Sequence, residues 1–182
     1  MPRIPYLPTD LAEPAELVAA VRARRGGALL HLDRMLLHSP ALARGWNEFL
    51  GQVRRGLSLD PRLRELAICA VAVLNDAPYE LAHHAPEWLA AGATRAQLEA
   101  LERTGGTCWD EPVFDAREQA ALRLTAEMTR AVAVSDATLA EVRAHLGDRE
   151  TVELVGVVAA YNMVSRFLAA LGVEPEEPAA AP

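Results

Sequence analysis

The chain has 182 residues and a formal charge of −7, long enough for one domain with its own core and too acidic for a surface that binds nucleic acid or anionic membranes. Its eighteen basic residues are all arginine, which excludes every mechanism built on a lysine Schiff base, pyridoxal phosphate chemistry included. The two cysteines, Cys69 and Cys108, have no paired spacing and make neither a disulfide framework nor a zinc site.

Residues 1–10 contain three prolines and read as an extended arm. They hold no apolar run of signal-peptide length, and no segment reaches about 18 consecutive apolar residues. A soluble, cytoplasmic protein is the expectation. Ala and Leu dominate the rest, glycine is scarce inside the periodic segments, and no long apolar/polar alternation occurs, so the fold class expected is all-α. Helices are predicted over 11–24, 28–37, 40–56, 61–75, 78–91, 95–104, 116–132, 136–146 and 149–171.

The start signals are local. Ser39-Pro40 and Asp60-Pro61 each set a cap before a proline at the first helical position. Thr94 with Gln97 and Asp115 with Glu118 have capping-box spacing. Gly147 and Gly172 close helices, and Asp148 opens the next. Together 11–173 reads as a single all-α domain, followed by a disordered tail at 174–182 rich in Glu, Pro and Ala. The stretches 66–74 and 152–171 are apolar almost all round, with Tyr161, Asn162, Ser165 and Arg166 the polar exceptions in the second. Helices of this kind lie in a core or across a subunit contact, so a homo-oligomer is expected.

The chemistry-bearing residues concentrate in Pro78-Tyr79-Glu80-Leu81-Ala82-His83-His84, with Glu65 on the preceding helix. On a helix Glu80 and His84 share one face at i,i+4, and Tyr79 and His83 share a second. A carboxylate beside an imidazole sets its charge and tautomer, the arrangement a general acid or base requires. His83 and His84 point about 100° apart on a helix, and the spacing to Glu80 favours His84. Cys69 lies within an apolar helix as a small hydrophobe. Cys108 falls in a loop after Gly105-Gly106-Thr107, where a surface thiol would have no basic neighbour to activate it.

Glu65 followed by Ala77-Pro78-Tyr79-Glu80 and then His84 resembles the carboxymuconolactone decarboxylase superfamily, which includes the alkyl hydroperoxidase D proteins. Its peroxidase branch carries a Glu and, twelve residues later, Cys-x-Tyr-Cys-x-x-x-His. Glu65, Tyr79 and His84 match the Glu, Tyr and His, while Ala77 and Glu80 occupy the cysteine positions. The 64–75 helix, Leu89-Ala-Ala-Gly-Ala-Thr94 and the 161–172 segment resemble the surroundings of that motif. The resemblance implies a helical fold assembled as trimers or hexamers. It does not carry peroxidase chemistry over, because that reaction needs a thiolate and a resolving thiol.

What remains is an acid–base set: His84 as proton donor, Glu65 and Glu80 as its tuners, Tyr79 as a donor to an oxyanion, and His83 as the alternative histidine. The expected reaction is cofactor-free proton transfer on a small carboxylated or lactone-like substrate, as in the decarboxylase branch. Three other readings stand beside it, the first being a family member with lost or residual hydroperoxidase activity. Glu80-x-x-His83 has the form of a di-iron ligand pair, but no second copy exists, so no metal is expected, although Glu65, Glu80 and His84 could face a single ion. The cluster could also be a buried polar network in a non-catalytic ligand-binding oligomer, with Trp46, Trp88 and Trp109 lining an apolar pocket.

Overall fold

The computed structural model describes residues 1–176; positions 177–182 of the predicted tail lie outside them. Among the described residues the secondary structure is helical, with no strand. The chain gathers into two compact units, Met1–Gly56 with the chain from Leu168 onward, and Leu57–Phe167.

The first unit holds α1 (Ala15–Arg24), α2 (His31–Leu36) and α3 (Pro40–Arg55). Helix α1 starts later than 11 because Pro14 stands at its N-cap in extended geometry. Its Leu17, Val18 and Val21, with Leu32 and Leu36 of α2 and Trp46 and Leu50 of α3, are buried. Asp33 is buried as well and paired to both Arg24 (2.9 Å) and Arg25 (3.1 Å). Burial, with Arg25 alongside, lowers Arg24 to about 10 despite the Asp33 charge. Ser39 makes no side-chain cap to α3, contrary to expectation; Pro40 at the first position sets the helix start by itself.

The N-terminal arm is non-helical, as the prolines require, and it is tethered. Arg3 N–H donates to Leu171 O at 2.8 Å, His38 Nε2–H donates to Pro5 O at 2.8 Å, and Tyr6 stacks on His31 at 4.3 Å. Two residues counted with the tail are also held: Glu174 N–H donates to the Tyr6 hydroxyl and Glu176 accepts from His31 N–H.

The second unit contains α4 (Pro61–Leu74), α5 (Pro78–Ala90), α6 (Arg95–Arg103), α7 (Ala116–Ala131) and most of α8 (Asp136–Leu171). Helix α4 is its axis, packed by α5, α6 and α7. Asp60 caps it by accepting from the N–H groups of Arg62 and Leu63, and Leu66, Ile68 and Val71 are fully buried. Each such side chain contributes about 1.5–3 kcal/mol relative to exposure.

Both predicted capping boxes form, and they interlock. Thr94 accepts from Gln97 N–H, and Asp115 from Glu118 N–H. The two buried box side chains then meet, Gln97 Nε2 donating to Glu118 Oε2 at 3.0 Å. Arg62 of α4 pairs with Glu118 at 2.8 Å, so one polar cluster ties the starts of α6 and α7 to α4.

The predicted break at Gly147 is a kink: φ 71° and ψ 177° interrupt α8 there. By length and composition α8 passes for a membrane-crossing helix, but half of its apolar window is buried inside the fold. Leu154, Val157, Val158, Val164 and Leu168 are core residues, as in the central helix of a globular protein.

Candidate active site

Glu65 lies on α4 beyond its first turn, a position where α5 packs across it. Helix α5 begins at Pro78, whose ring fixes φ and lacks the N–H a first-turn residue cannot use. That start sets the phase of the helix. Tyr79, Glu80 and His84 are buried, and His83 is half-buried.

His84 Nδ1 lies 2.7 Å from Glu65 Oε2, and His84 Nε2 lies 3.4 Å from Glu80 Oε2. The imidazole is therefore bracketed by two carboxylates, one across the α4–α5 contact and one a turn back on its own helix. Glu65 is 5% exposed, Glu80 2% and His84 8%, so all three sit in a low-dielectric setting where such contacts are strong. Arg64 Nε–H donates to Glu65 Oε1 at 3.2 Å. Burial alone would raise the Glu65 carboxyl, but the His84 hydrogen bond and charge, with Arg64, outweigh it and hold it below its ordinary value. Glu65 is thus ionised, and it is His84 Nδ1–H that donates.

The second predicted pair also forms, but apart from the first. Tyr79 and His83 meet with ring centroids 4.5 Å apart, on a face of α5 that His84 does not share. The aromatic that touches His84 is Tyr161 of α8, edge-on at 5.0 Å and fully buried. Arg64 and Tyr161 are the neighbours that sequence reasoning left out of the site. The only signal for Tyr161 is its place as a polar interruption of an apolar helix. Tyr161 is followed by Asn162, which accepts from Asn75 and donates to Thr129 Oγ1, each at 3.0 Å.

Neither thiol is poised to ionise. Cys69 is fully buried. Burial first, then the charges of Glu65, Glu80 and Glu102, push its thiol far above the ordinary range. Cys108 lies in the predicted loop, yet it is buried too, and burial raises it; a surface thiol there is ruled out by the packing. Ala77, at the position of a family cysteine, is also buried.

A single cation could not take all three site residues in this arrangement, because Glu65 and Glu80 approach opposite nitrogens of one ring. Among the described residues no cluster of three or more His, Cys, Asp or Glu has ligand geometry. The three tryptophans have different settings. Trp46 belongs to the first unit, Trp88 is fully buried and stacked parallel to Phe114 at 6.5 Å, and Trp109 lies in the loop after α6. Near the start of α5 a cleft of about 230 Å³ is lined by Ala72, Val73, Pro78 and Leu81, with Asp76 and Glu102 as its carboxylates.

The model of the carboxymuconolactone decarboxylase family matches residues 40–127, a span that includes Glu65, Tyr79, Glu80, His83 and His84. Over that region, just under half of its length, the chain matches the carboxymuconolactone decarboxylase family.

Solved structures share the fold. An uncharacterized peroxidase-related protein from Ralstonia eutropha JMP134, described as an alkylhydroperoxidase AhpD core, superposes with a TM-score of 0.77 at 16% identity, over 97% of this chain and 93% of that one. An uncharacterized peroxidase-related protein from Silicibacter sp. TM1040 gives 0.75 at 20% identity, over 96% and 89%. A protein of unknown function from Agrobacterium tumefaciens gives 0.69 at 19% identity, over 79% and 97%. At such identities the likeness is one of fold alone. No curated protein matches the chain.

Proposed function

We propose that this protein is a cofactor-free lyase or isomerase that moves a proton on a small carboxylated or lactone-like molecule. The observation that carries the reading is the Glu65–His84–Glu80 line. An ionised Glu65 orients the ring through Nδ1, and Nε2 faces a second carboxyl in a site closed to bulk water. That arrangement can supply a proton to a carbon as an electron pair develops on it, and can take one back. Tyr79 was expected to donate to an oxyanion; with its ring against His83, it is the less central member of the set.

The assay is decarboxylation or double-bond migration on carboxymuconolactone-type substrates, comparing the parent chain with His84→Ala and Glu80→Gln. Loss of turnover in both variants supports the reading. Turnover that survives His84→Ala sinks the role of His84, and an inactive parent at high enzyme concentration sinks the reaction class.

A residual hydroperoxidase reading has less behind it, since Ala77 and Glu80 carry no sulfur and the Cys69 thiol resists ionisation. The non-catalytic reading draws on one observation, the small exposure of His84, which suits a structural network as well as a guarded site. Binding of a small molecule without turnover would favour it.

The same reading includes self-assembly, as trimers or hexamers, in the cytoplasm. Its support is an uncovered apolar face on α8, where Val152 is 71% and Met163 40% exposed, with Ala159 exposed between them. A monodisperse monomer at micromolar concentration would overturn that part.

A further inference from the structure

Glu80 Oε2 is buried and makes no hydrogen bond of normal geometry to any group, although it lies 3.4 Å from His84 Nε2. Glu65 takes the other ring nitrogen as an acceptor, so His84 carries a proton on Nδ1. Without a further proton, Nε2 and Oε2 would face each other as two lone pairs in a dry site. That arrangement is unfavourable, because each buried acceptor has given up its hydration without gaining a hydrogen bond. One proton between them removes the conflict, whether it rests on nitrogen, as an imidazolium flanked by two carboxylates, or on oxygen, as a carboxylic acid donating to a neutral ring.

We infer that Glu80 and His84 hold one shared proton along the Nε2–Oε2 line, and that Glu80, where the peroxidase relatives carry a cysteine, makes this pair the acid of the site. The inference rests on the proton-transfer reading for its use, not for its geometry. Glu80 Oε2 has no competing donor to satisfy it, and the gap exceeds a closed hydrogen bond by a few tenths of an ångström. The proton is therefore held without being locked.

The balance is simple. When the pair gives up its proton, the N–H or O–H bond breaks and a C–H bond forms on the substrate carbon that bears the developing electron pair. The site is left with a neutral imidazole protonated at Nδ1 and an ionised Glu80. In an isomerisation the proton abstracted from another carbon restores the pair. In a decarboxylation the C–C pair released with carbon dioxide receives the proton, and water resupplies it.

The test is nitrogen-15 NMR of the His84 ring, assigned through its own backbone, on the intact chain at neutral pH with no substrate added. The expected spectrum has Nδ1 as an N–H nitrogen and Nε2 displaced from the position of a ring nitrogen that neither carries nor accepts a proton. In Glu80→Gln, which keeps the shape and removes the acid, Nε2 should move to the position of an unprotonated ring nitrogen. A parent Nε2 at the position of a ring nitrogen that neither carries nor accepts a proton overturns the inference, and so does an Nε2 signal that Glu80→Gln leaves unchanged. Should that variant not fold, the parent spectrum decides alone. No turnover enters this measurement, so its failure leaves the lyase assay open, and failure of that assay leaves the shared proton standing.

Discussion

His84 is the residue on which the site depends, because it is the shared partner of two buried carboxylates. His84→Ala leaves Glu65 with Arg64 as its remaining ion-pair partner and strips Glu80 of its imidazole neighbour. The expected loss is about 3–5 kcal/mol, the usual cost of stranding a buried charge, read from urea unfolding monitored by circular dichroism. Glu65 predicts a pH effect with a definite sign. Its folded value lies below its unfolded one. The stabilisation it brings is therefore complete above the ordinary carboxylate range and drains away as pH falls through the folded value. Stability measured at stepped pH should fall less steeply through that acid window in Glu65→Gln than in the parent; parallel curves would refute the assignment.

At the scale of elements, the ends of helices show how local signals were read. Asp60, Thr94 and Asp115 cap as their spacing predicts, because a cap is a contact between neighbours in sequence. Asp115→Ala should cost about 1 kcal/mol, in the range of 0.5–2 for a lost N-cap. Helix α7 ends less comfortably. Val132, its C-cap, has φ 67° and is 81% exposed, a left-handed backbone that a β-branched side chain resists. Val132→Gly should raise stability by about 1 kcal/mol, as strain relief exceeds the entropy glycine adds to the unfolded chain. The opposite substitution belongs at the α8 kink. Gly147→Ala meets no neighbour, so its expected loss of about 1–3 kcal/mol is backbone strain alone. Thermal unfolding of the three variants checks all of these.

For the molecule as a whole, the uncovered α8 face is the feature a lone chain leaves unexplained. Val152, Ala159 and Met163 fall at i, i+7 and i+11, on one side of the helix. If that face is a subunit contact, Val152→Arg and Met163→Glu should each shift the sedimentation profile toward smaller species while leaving the circular dichroism unchanged. No shift in either variant would place the contact elsewhere.

Much of this was legible from the residues in order. Helix class, the arm, the break at Gly147 and the i,i+4 pairs of α5 all follow from periodicity, proline and glycine, which act over a few residues. So did the pairing of His84, rather than His83, with Glu80, since helical phase is local. What lay beyond that reach were contacts between distant segments. That Glu65 reaches Nδ1 while Glu80 faces Nε2 depends on how α5 crosses α4, and so does the mismatch between these residues and any single metal ion. Tyr161, nearly eighty residues downstream, touches His84 only because α8 packs beside them. The burial of Cys108 is of the same kind: its loop looked open in sequence, and packing closed it. Short-range chemistry determined the elements and the residues they present. The tertiary structure alone decided which polar groups meet out of water, and in a dry interior that decides where the proton resides.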